Sequence, residues 1–258
     1  MTAARAAALA ALFSAYDEAA RRAFGRVTAE AKGDGSAVTA FDRQASRMVL
    51  EALQRLTPGH GIVSEEEAEP YLPGAEWQWV VDPLDGTASF ARGYPMWGLG
   101  IGLLRGGVPQ EGYLRFPALD ETLVAADGRM LHNARPFPPA PGPALPDTRN
   151  ALVGSSFNNE ISYDRLRGYK LRNMGSNLYH LACLALGRAE VVLSASCYLW
   201  DLAAALPFTR ARGMVEVYLD GRPFSLAKLL QPGAGFRTEG ALAIGPPAEV
   251  EAVLRMVA

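Results

Sequence analysis

Residues 79–87 read Trp-Val-Val-Asp-Pro-Leu-Asp-Gly-Thr, an apolar strand-like run that leads into two aspartates three positions apart. Pro83 fixes one backbone φ angle and Gly86 relieves the turn, so the side chains of Asp82 and Asp85 and the carbonyl between them can converge on a pair of metal ions. A helix that begins after Gly86 would present free backbone N–H groups to a phosphate. For this segment alone, an ordinary Asp-Pro turn is the alternative.

Three more acids stand where a strand or helix begins or ends: Asp42, Glu65 and Asp201. Carboxylates that share a cleft are costly unless cations neutralise them. Hard divalent cations take oxygen ligands, and magnesium combines a few carboxylates with waters and substrate phosphate. Taken singly, Asp201 could instead cap the helix that follows it, and the glutamate run at Glu65 could be a solvated face.

The bulk composition excludes several classes of protein. The chain has 258 residues, 49% hydrophobic and 20% charged, with a net charge of −2, which predicts a globular protein that binds no nucleic acid. No run approaches the roughly 20 apolar residues of a membrane span, and the alanine-rich N-terminus carries apolar residues at helical spacing. We therefore expect an amphipathic first helix, no membrane association and a cytoplasmic protein. Cys183 and Cys197 are expected to be core thiols.

Strands and helices are predicted in both halves of the chain, which indicates an α+β fold. The proline-rich residues 136–147 interrupt the chain and predict two closely joined subdomains, 1–135 and 148–258. The predicted helices are 1–24, 42–56, 176–186, 200–212 and 246–257. The predicted strands are 61–63, 78–81, 98–104, 110–116, 122–126, 151–155, 190–194, 215–219 and 241–244.

Five segments together resemble the inositol monophosphatase family, which includes histidinol phosphatases, nucleotide 3′-phosphatases and some fructose bisphosphatases. They are Lys32–Asp42, Ile62–Glu66, Trp79–Phe90, Met174–Ser176 and Trp200–Ala204. The resemblance implies a layered αβαβα sugar-phosphatase fold and a homodimer. It also implies magnesium-dependent hydrolysis of a small phosphate monoester, in which activated water attacks phosphorus in line. A phosphatase of the haloacid-dehalogenase type is disfavoured. That type has a nucleophilic aspartate followed by a second aspartate two residues later, whereas Asp82 and Asp85 are three residues apart with Pro83 between them.

The resemblance assigns ligands for two or three magnesium ions between the halves. Glu65, Asp82 and the Leu84 carbonyl would hold the first ion. Asp82, Asp85 and Asp201 would hold the second, and Glu65 would help to hold a weaker third. The N-terminal half would thus carry most ligands, and the C-terminal half would carry Asp201 and the substrate contacts.

The resemblance also assigns residues to the reaction itself. Asp42 and Thr87 would polarise the attacking water, with Glu65 acting beside them through its metal. The Gly86 and Thr87 amides would receive the phosphate. A protein that keeps this fold but only binds a partner is the alternative of another class, and the intact acidic set favours catalysis.

The sequence leaves the substrate open, because the residues expected to recognise it depart from those of the relatives. Inositol and histidinol phosphatases commonly have an acid seven residues before the aspartate of Trp200-Asp201, whereas this chain has Ser194. We therefore expect weak selectivity among polyol phosphates and poor use of histidinol phosphate, although other segments resemble the histidinol-phosphatase branch. The candidate substrate contacts are Asp85, Arg172, Ser176, Ser194 and Asp201. His180 is expected to be a core or helix-surface residue and not a metal ligand.

Overall fold

The computed structural model describes residues 3–33, 36–66, 74–139, 149–155, 157 and 161–258. Within them lie two larger sheets and a two-stranded ribbon, accompanied by helices, so the predicted α+β class is confirmed. Part of the predicted connection 136–147, from residue 140 onward, lies outside the described residues. The two larger sheets fall on either side of that connection, and the division into subdomains there stays a prediction.

The first larger sheet has seven strands in sequence order, and its first pair is parallel while the others are antiparallel. Its strands are β3 (Gly61–Ser64), β4 (Trp77–Asp85), β5 (Gly98–Arg105), β6 (Val108–Phe116), β7 (Glu121–Ala126), β8 (Arg129–His132) and β9 (Arg135–Pro136). The ribbon pairs β1 (Glu30–Ala31) with β2 (Ala37–Val38).

The second larger sheet has five strands in the order β11-β10-β12-β14-β13. Its strands are β10 (Asn150–Val153), β11 (Lys170–Arg172), β12 (Val191–Ser194), β13 (Val215–Tyr218) and β14 (Leu242–Gly245). Strand β10 runs parallel to both of its neighbours, and the β12–β14–β13 side is antiparallel.

Helices cover the sheets, and three apolar cores separate the resulting layers. The helices are α1 (Ala3–Ala23), α2 (Ala40–Leu56), α3 (Thr87–Arg92), α4 (Asn177–Ala185), α5 (Trp200–Ala203), α6 (Leu206–Ala211), α7 (Leu226–Leu229) and α8 (Pro247–Val257). Helices α1 and α2 pack on one face of the first sheet, α4 to α6 lie between the sheets, and α8 covers the second sheet. This is the αβαβα layering that the resemblance implied.

Glycines in the first sheet let the segment that carries Asp201 approach very closely. Gly102 of β5 faces Gly112 of β6 across the ladder. A Cβ atom on Gly112 would lie 2.1 Å from the Ala204 carbonyl oxygen, and one on Gly102 would lie 2.7 Å from the Ala203 carbonyl carbon. The backbone of Ala203 and Ala204 therefore packs directly against the sheet. Because Asp201 lies two residues before Ala203, this packing places it close to β4.

We expect Gly112→Ala to destabilise the protein by about 1–3 kcal/mol, the usual cost of overpacking a core, since the obstructing atom is backbone and cannot rotate away. The added methyl group would also displace α5, which carries Asp201, and should therefore weaken divalent-cation binding. Urea unfolding and a magnesium titration measure the two effects. Gly59→Ala is the matched control, because a Cβ there meets no atom within 4 Å. An unchanged Gly112→Ala protein would show that this close approach is not required.

Most predicted elements are confirmed, and the differences have local causes. The predicted helix 200–212 is wrong as a single helix: α5 ends at Ala203 because Pro207 has no N–H to donate to that carbonyl. The strand predicted over 78–81 continues to Asp85, where pairing with β5 resumes after a register shift. Cys183 and Cys197 are buried free thiols as predicted. Among the described residues no helix combines the length and apolar character needed to span a membrane.

Candidate active site

Three carboxylates from the two halves of the chain meet at one place. Asp82 and Asp85 lie in the last four residues of strand β4, and Asp201 lies in the first turn of α5. One oxygen atom from each lies within 4.8 Å of the others. The ladder between β4 and β5 shifts register between the two strand aspartates, at the Pro83 position that lacks an N–H. The predicted pair and the distant third aspartate are thus brought together.

Backbone and hydroxyl donors hold the three carboxylates. Asp85 Oδ2 accepts a hydrogen bond from the Ser176 hydroxyl at 2.5 Å and another from the Leu178 N–H at 2.6 Å. The start of α4, in the second half of the chain, therefore holds Asp85 of the first half in place. Asp201 Oδ2 accepts from the Tyr198 N–H at 2.7 Å. Asp82 Oδ1 accepts from the Leu84 N–H at 3.1 Å. These bonds leave further lone pairs on every carboxylate.

The cluster is electrostatically unfavourable without a cation. Burial raises the pKa of Asp82 well above its usual value, and the neighbouring charges of Glu65, Asp85 and Asp201 raise it further. Burial and the charge of Asp85 likewise raise the pKa of Asp201 well above its usual value. The ionised forms are therefore destabilised in the metal-free protein, and a divalent cation would relieve this repulsion.

Glu65 lies beside this cluster and is paired with Lys32. The Lys32 ammonium lies 2.7 Å from Glu65 Oε1 and 2.6 Å from Glu66 Oε1. Burial raises the pKa of Glu65 to about 7, although the ammonium opposes that shift. Lys32 begins the first of the five segments that carry the family resemblance, and Asp34 of that segment lies outside the described residues. The ion pair with Glu66 was not predicted.

Asp42 and Thr87 contact each other, as the proposed water-activating pair requires. The Thr87 hydroxyl lies 2.8 Å from Asp42 Oδ1 and 3.1 Å from the Leu84 carbonyl oxygen, so it can donate to either. Thr39 caps α2 and donates to Asp42 Oδ2 from its backbone N–H at 2.8 Å and from its hydroxyl at 2.5 Å. The capping box of α2 thereby fixes Asp42.

Gly86 sits where only glycine fits. Its φ is +87°, and a Cβ atom there would lie 2.9 Å from the Met96 carbonyl oxygen and 3.0 Å from that of Gly175. Helix α3 begins at the next residue, Thr87, so a helix does start directly after Gly86. The tight turn places the start of this helix directly after the two strand aspartates.

A cavity of about 200 Å³ opens beside the carboxylates. Ser176 and Ser194, both predicted to contact substrate, line it together with Asp85 and Asp201. Arg172 does not: it is exposed on β11 and donates to Asn150 Oδ1 at 2.9 Å. Its contact with substrate stays a prediction. Asn177 and His180 also line the cavity, and neither residue was predicted to bind substrate.

Comparison with known proteins agrees with this geometry. The sequence model of the inositol monophosphatase family matches residues 1–238. The chain belongs to the inositol monophosphatase family. This is a family of phosphoric monoester hydrolases, so the chain is an enzyme of that type.

Three similar proteins illustrate the range of the inositol monophosphatase family. The chain is 31% identical to an inositol-1-monophosphatase of Synechocystis over 75% of this chain and 70% of that protein. It is 32% identical to a histidinol-phosphatase of Mycobacterium tuberculosis over 82% of this chain and 86% of that protein. An IMPase/NADP phosphatase solved with Mg²⁺ and phosphate shares the fold, with a TM-score of 0.80, 18% identity and coverage of 96% and 92%.

Proposed function

We propose that this protein hydrolyses a small phosphate monoester with bound magnesium, by attack of water on phosphorus in line with the leaving oxygen. The observation that carries the proposal is the meeting of Asp82, Asp85 and Asp201 at one place. The hydrogen bond between Thr87 and Asp42, the family membership and the magnesium and phosphate in a protein of the same fold support it.

The donor set fits magnesium, because it consists of carboxylate and carbonyl oxygens whose charges repel one another when no cation is present. We assign Glu65, Asp82 and the Leu84 carbonyl to one ion, and Asp82, Asp85 and Asp201 to a second, with Glu65 assisting a weaker third. Bound magnesium supplies Lewis acidity that stabilises the entering and leaving oxygens. The Lys32 ammonium, 2.7 Å from Glu65 Oε1, partly neutralises that carboxylate.

The chain's own residues orient the water. The single hydroxyl proton of Thr87 can point to Asp42, which leaves an oxygen lone pair free to accept from a water molecule. Asp42 then stabilises the hydroxyl in that orientation, and Thr39 fixes the carboxylate from the other side. As the water attacks, its proton can pass to the Thr87 oxygen while the Thr87 hydroxyl proton passes to Asp42, which is general-base help of the kind that contributes roughly 10²–10⁴-fold.

The amides of Gly86 and Thr87 are proposed to receive the phosphate. Both lie in the turn between β4 and α3, next to the aspartates, so the phosphate would bridge these donors and the metal side of the site. Backbone N–H groups in such a turn bind anions because they are fixed and positively polarised.

The family resemblance further supports a homodimer in the cytoplasm. Light scattering of the purified protein measures the mass directly. A monomer at micromolar concentration would contradict the dimer without affecting the proposed reaction.

The proposed reaction is tested by phosphate release with magnesium, with chelator, and with magnesium restored. The panel is inositol 1-phosphate, histidinol phosphate, fructose 1,6-bisphosphate and adenosine 3′,5′-bisphosphate. We expect at least one compound to be hydrolysed in a strictly magnesium-dependent way. Release from none of them, by protein that binds magnesium, would favour the non-catalytic binding protein.

Magnesium should also stabilise the fold. At a concentration of 100 times its dissociation constant, one bound ligand contributes about 2.7 kcal/mol, or roughly 5–10 °C in Tm for a chain of this size. The gain should be larger at pH 8 than at pH 5, because protons compete with the cation for carboxylates whose pKa values are raised. A calorimetric scan at both pH values measures it. Equal Tm values with and without magnesium would contradict the assigned ligands.

A further inference from the structure

The wall of the active-site cavity formed by α4 and β12 presents neutral polar side chains. Ser194 on β12 donates from its hydroxyl to Asn177 Oδ1 at 2.7 Å. That bond occupies the amide oxygen of Asn177, whereas its Nδ2 is buried and has no partner among the described residues. Asn177 is the first residue of α4, so the positive end of the helix dipole also acts there.

His180, one turn further along α4, adds a second donor to the same wall. It is 1% exposed and lines the cavity. Its Nε2 accepts from the Met174 N–H at 2.9 Å, and burial lowers the pKa of the imidazole to about 4. The ring is therefore neutral with its proton on Nδ1, and that buried N–H has no partner in the described part of the chain.

A cation stands beside this wall. The Arg237 guanidinium donates from Nε to the Ser196 hydroxyl at 2.9 Å, and Ser196 lines the cavity and in turn donates to the Thr238 carbonyl at 2.9 Å. The carboxylates among the described lining residues are Asp85 and Asp201, both assigned above to magnesium. Buried donors without acceptors are costly, and an acceptor on a bound molecule would relieve that cost.

We propose that this wall selects phosphate esters whose leaving group carries an anionic hydrogen-bond acceptor, a carboxylate or a second phosphate, which Asn177 Nδ2 and His180 Nδ1 bind. The inference rests on the proposed hydrolysis and adds the substrate class. An acid at position 194 would accept hydrogen bonds from a hydroxyl or an amine of the substrate. The wall of this cavity instead donates hydrogen bonds, so it suits a substrate group that accepts them. A cavity of about 200 Å³ suits a leaving group of a few carbon atoms.

The test uses two substrates that differ at one carbon. 3-Phosphoglycerate carries a carboxylate where glycerol 3-phosphate carries a hydroxymethyl group, and both are primary phosphate monoesters. For the wild-type enzyme with magnesium, kcat/KM should be roughly tenfold or more higher for 3-phosphoglycerate, the discrimination that a charge-assisted hydrogen bond provides. Fructose 1,6-bisphosphate against fructose 6-phosphate distinguishes a second phosphate from a carboxylate as the preferred acceptor.

Two variants assign the preference to these residues. His180→Gln keeps an acceptor for the Met174 N–H and removes the Nδ1 donor, and Asn177→Asp replaces the amide donor by an acid of the same shape. Each should lower the substrate ratio by roughly tenfold. Because the ratio is measured within one variant, a general loss of active protein cancels. His60→Gln is the matched control, since His60 stacks on Trp77 in the other half of the chain.

The outcomes separate the inference from the function. If the wild type hydrolyses none of these esters and none of the earlier panel, the proposed function fails. If it hydrolyses the acidic and the neutral ester equally well, the function stands and the inference is overturned, with water satisfying the two donors. A preference that His180→Gln and Asn177→Asp both leave unchanged also overturns the inference, because the selecting group then lies elsewhere.

Discussion

Asp82→Asn is expected to abolish phosphate release while making the metal-free protein more stable. Asp82 is 1% exposed, its pKa is raised by burial and by three neighbouring acids, and it is proposed to bridge two cations. Lewis-acid stabilisation is worth several kcal/mol, so kcat/KM should fall by about 10³-fold or more. The asparagine keeps an oxygen for the Leu84 N–H, so the turn should survive.

The gain in metal-free stability follows from the same repulsion. Removing this carboxylate should raise the free energy of unfolding at neutral pH, because a group whose pKa is raised in the folded state destabilises that state at every pH where the unfolded chain would ionise it. The magnesium-induced rise in Tm should shrink or vanish in the same variant. Calorimetry with and without magnesium, alongside the phosphate assay, measures all three effects.

Asp164→Asn is the control for this substitution, because Asp164 is exposed and does not line the cavity. It should leave activity, metal-free stability and the magnesium response unchanged. If Asp82→Asn kept more than a few per cent of wild-type activity at saturating magnesium, Asp82 would not be a ligand needed for the reaction. Loss of the fold in Asp82→Asn would instead assign it a structural role.

Local sequence signals predicted much of the fold, and the failures follow where those signals are weak. Gly187 marks the end of the predicted helix 176–186, and α4 does end just before it, at Ala185. The capping box of Thr39 and Asp42 was not recognised, so the predicted start of α2 at residue 42 is two residues late. Strand β9 was missed because it ends at Pro136, at the edge of a proline-rich stretch that argues against a strand. Strand β11 is three residues long and exposed at both ends, which is too short for an alternating pattern to register.

The candidate site likewise contains features that the sequence predicted and features that it did not. The turn at Asp82 and Asp85 is encoded within six residues, so the sequence alone identified it. The contact of Asp85 with Ser176 joins residues 91 positions apart, and the pairing of Lys32 with Glu65 and Glu66 also depends on how distant segments pack. The two donors of α4 that have no partner among the described residues, Asn177 Nδ2 and His180 Nδ1, lie beyond sequence reasoning as well. A histidine or asparagine can be recognised in a sequence, whereas the absence of its partner is a property of the packed cavity.

Thr87→Ala is expected to lower kcat by roughly 10²-fold or more while leaving magnesium affinity nearly unchanged, because the hydroxyl orients the water and is not a proposed ligand. The variant also removes the donor to Asp42 Oδ1, so a stability loss of about 1–3 kcal/mol is expected from the buried acceptor left without it. Saturating substrate separates the effect on kcat from one on KM.

Thr87→Ser is the matched control for that loss. It keeps the hydroxyl at the start of α3, where it can still reach Asp42 and the Leu84 carbonyl, and deletes only a methyl group. Its kcat should therefore lie much closer to that of the wild type than to that of Thr87→Ala, with equal magnesium-induced shifts in Tm for all three proteins. A Thr87→Ala enzyme whose activity returned fully at higher magnesium would contradict this division of roles, because the threonine would then act through the metal and not through the water.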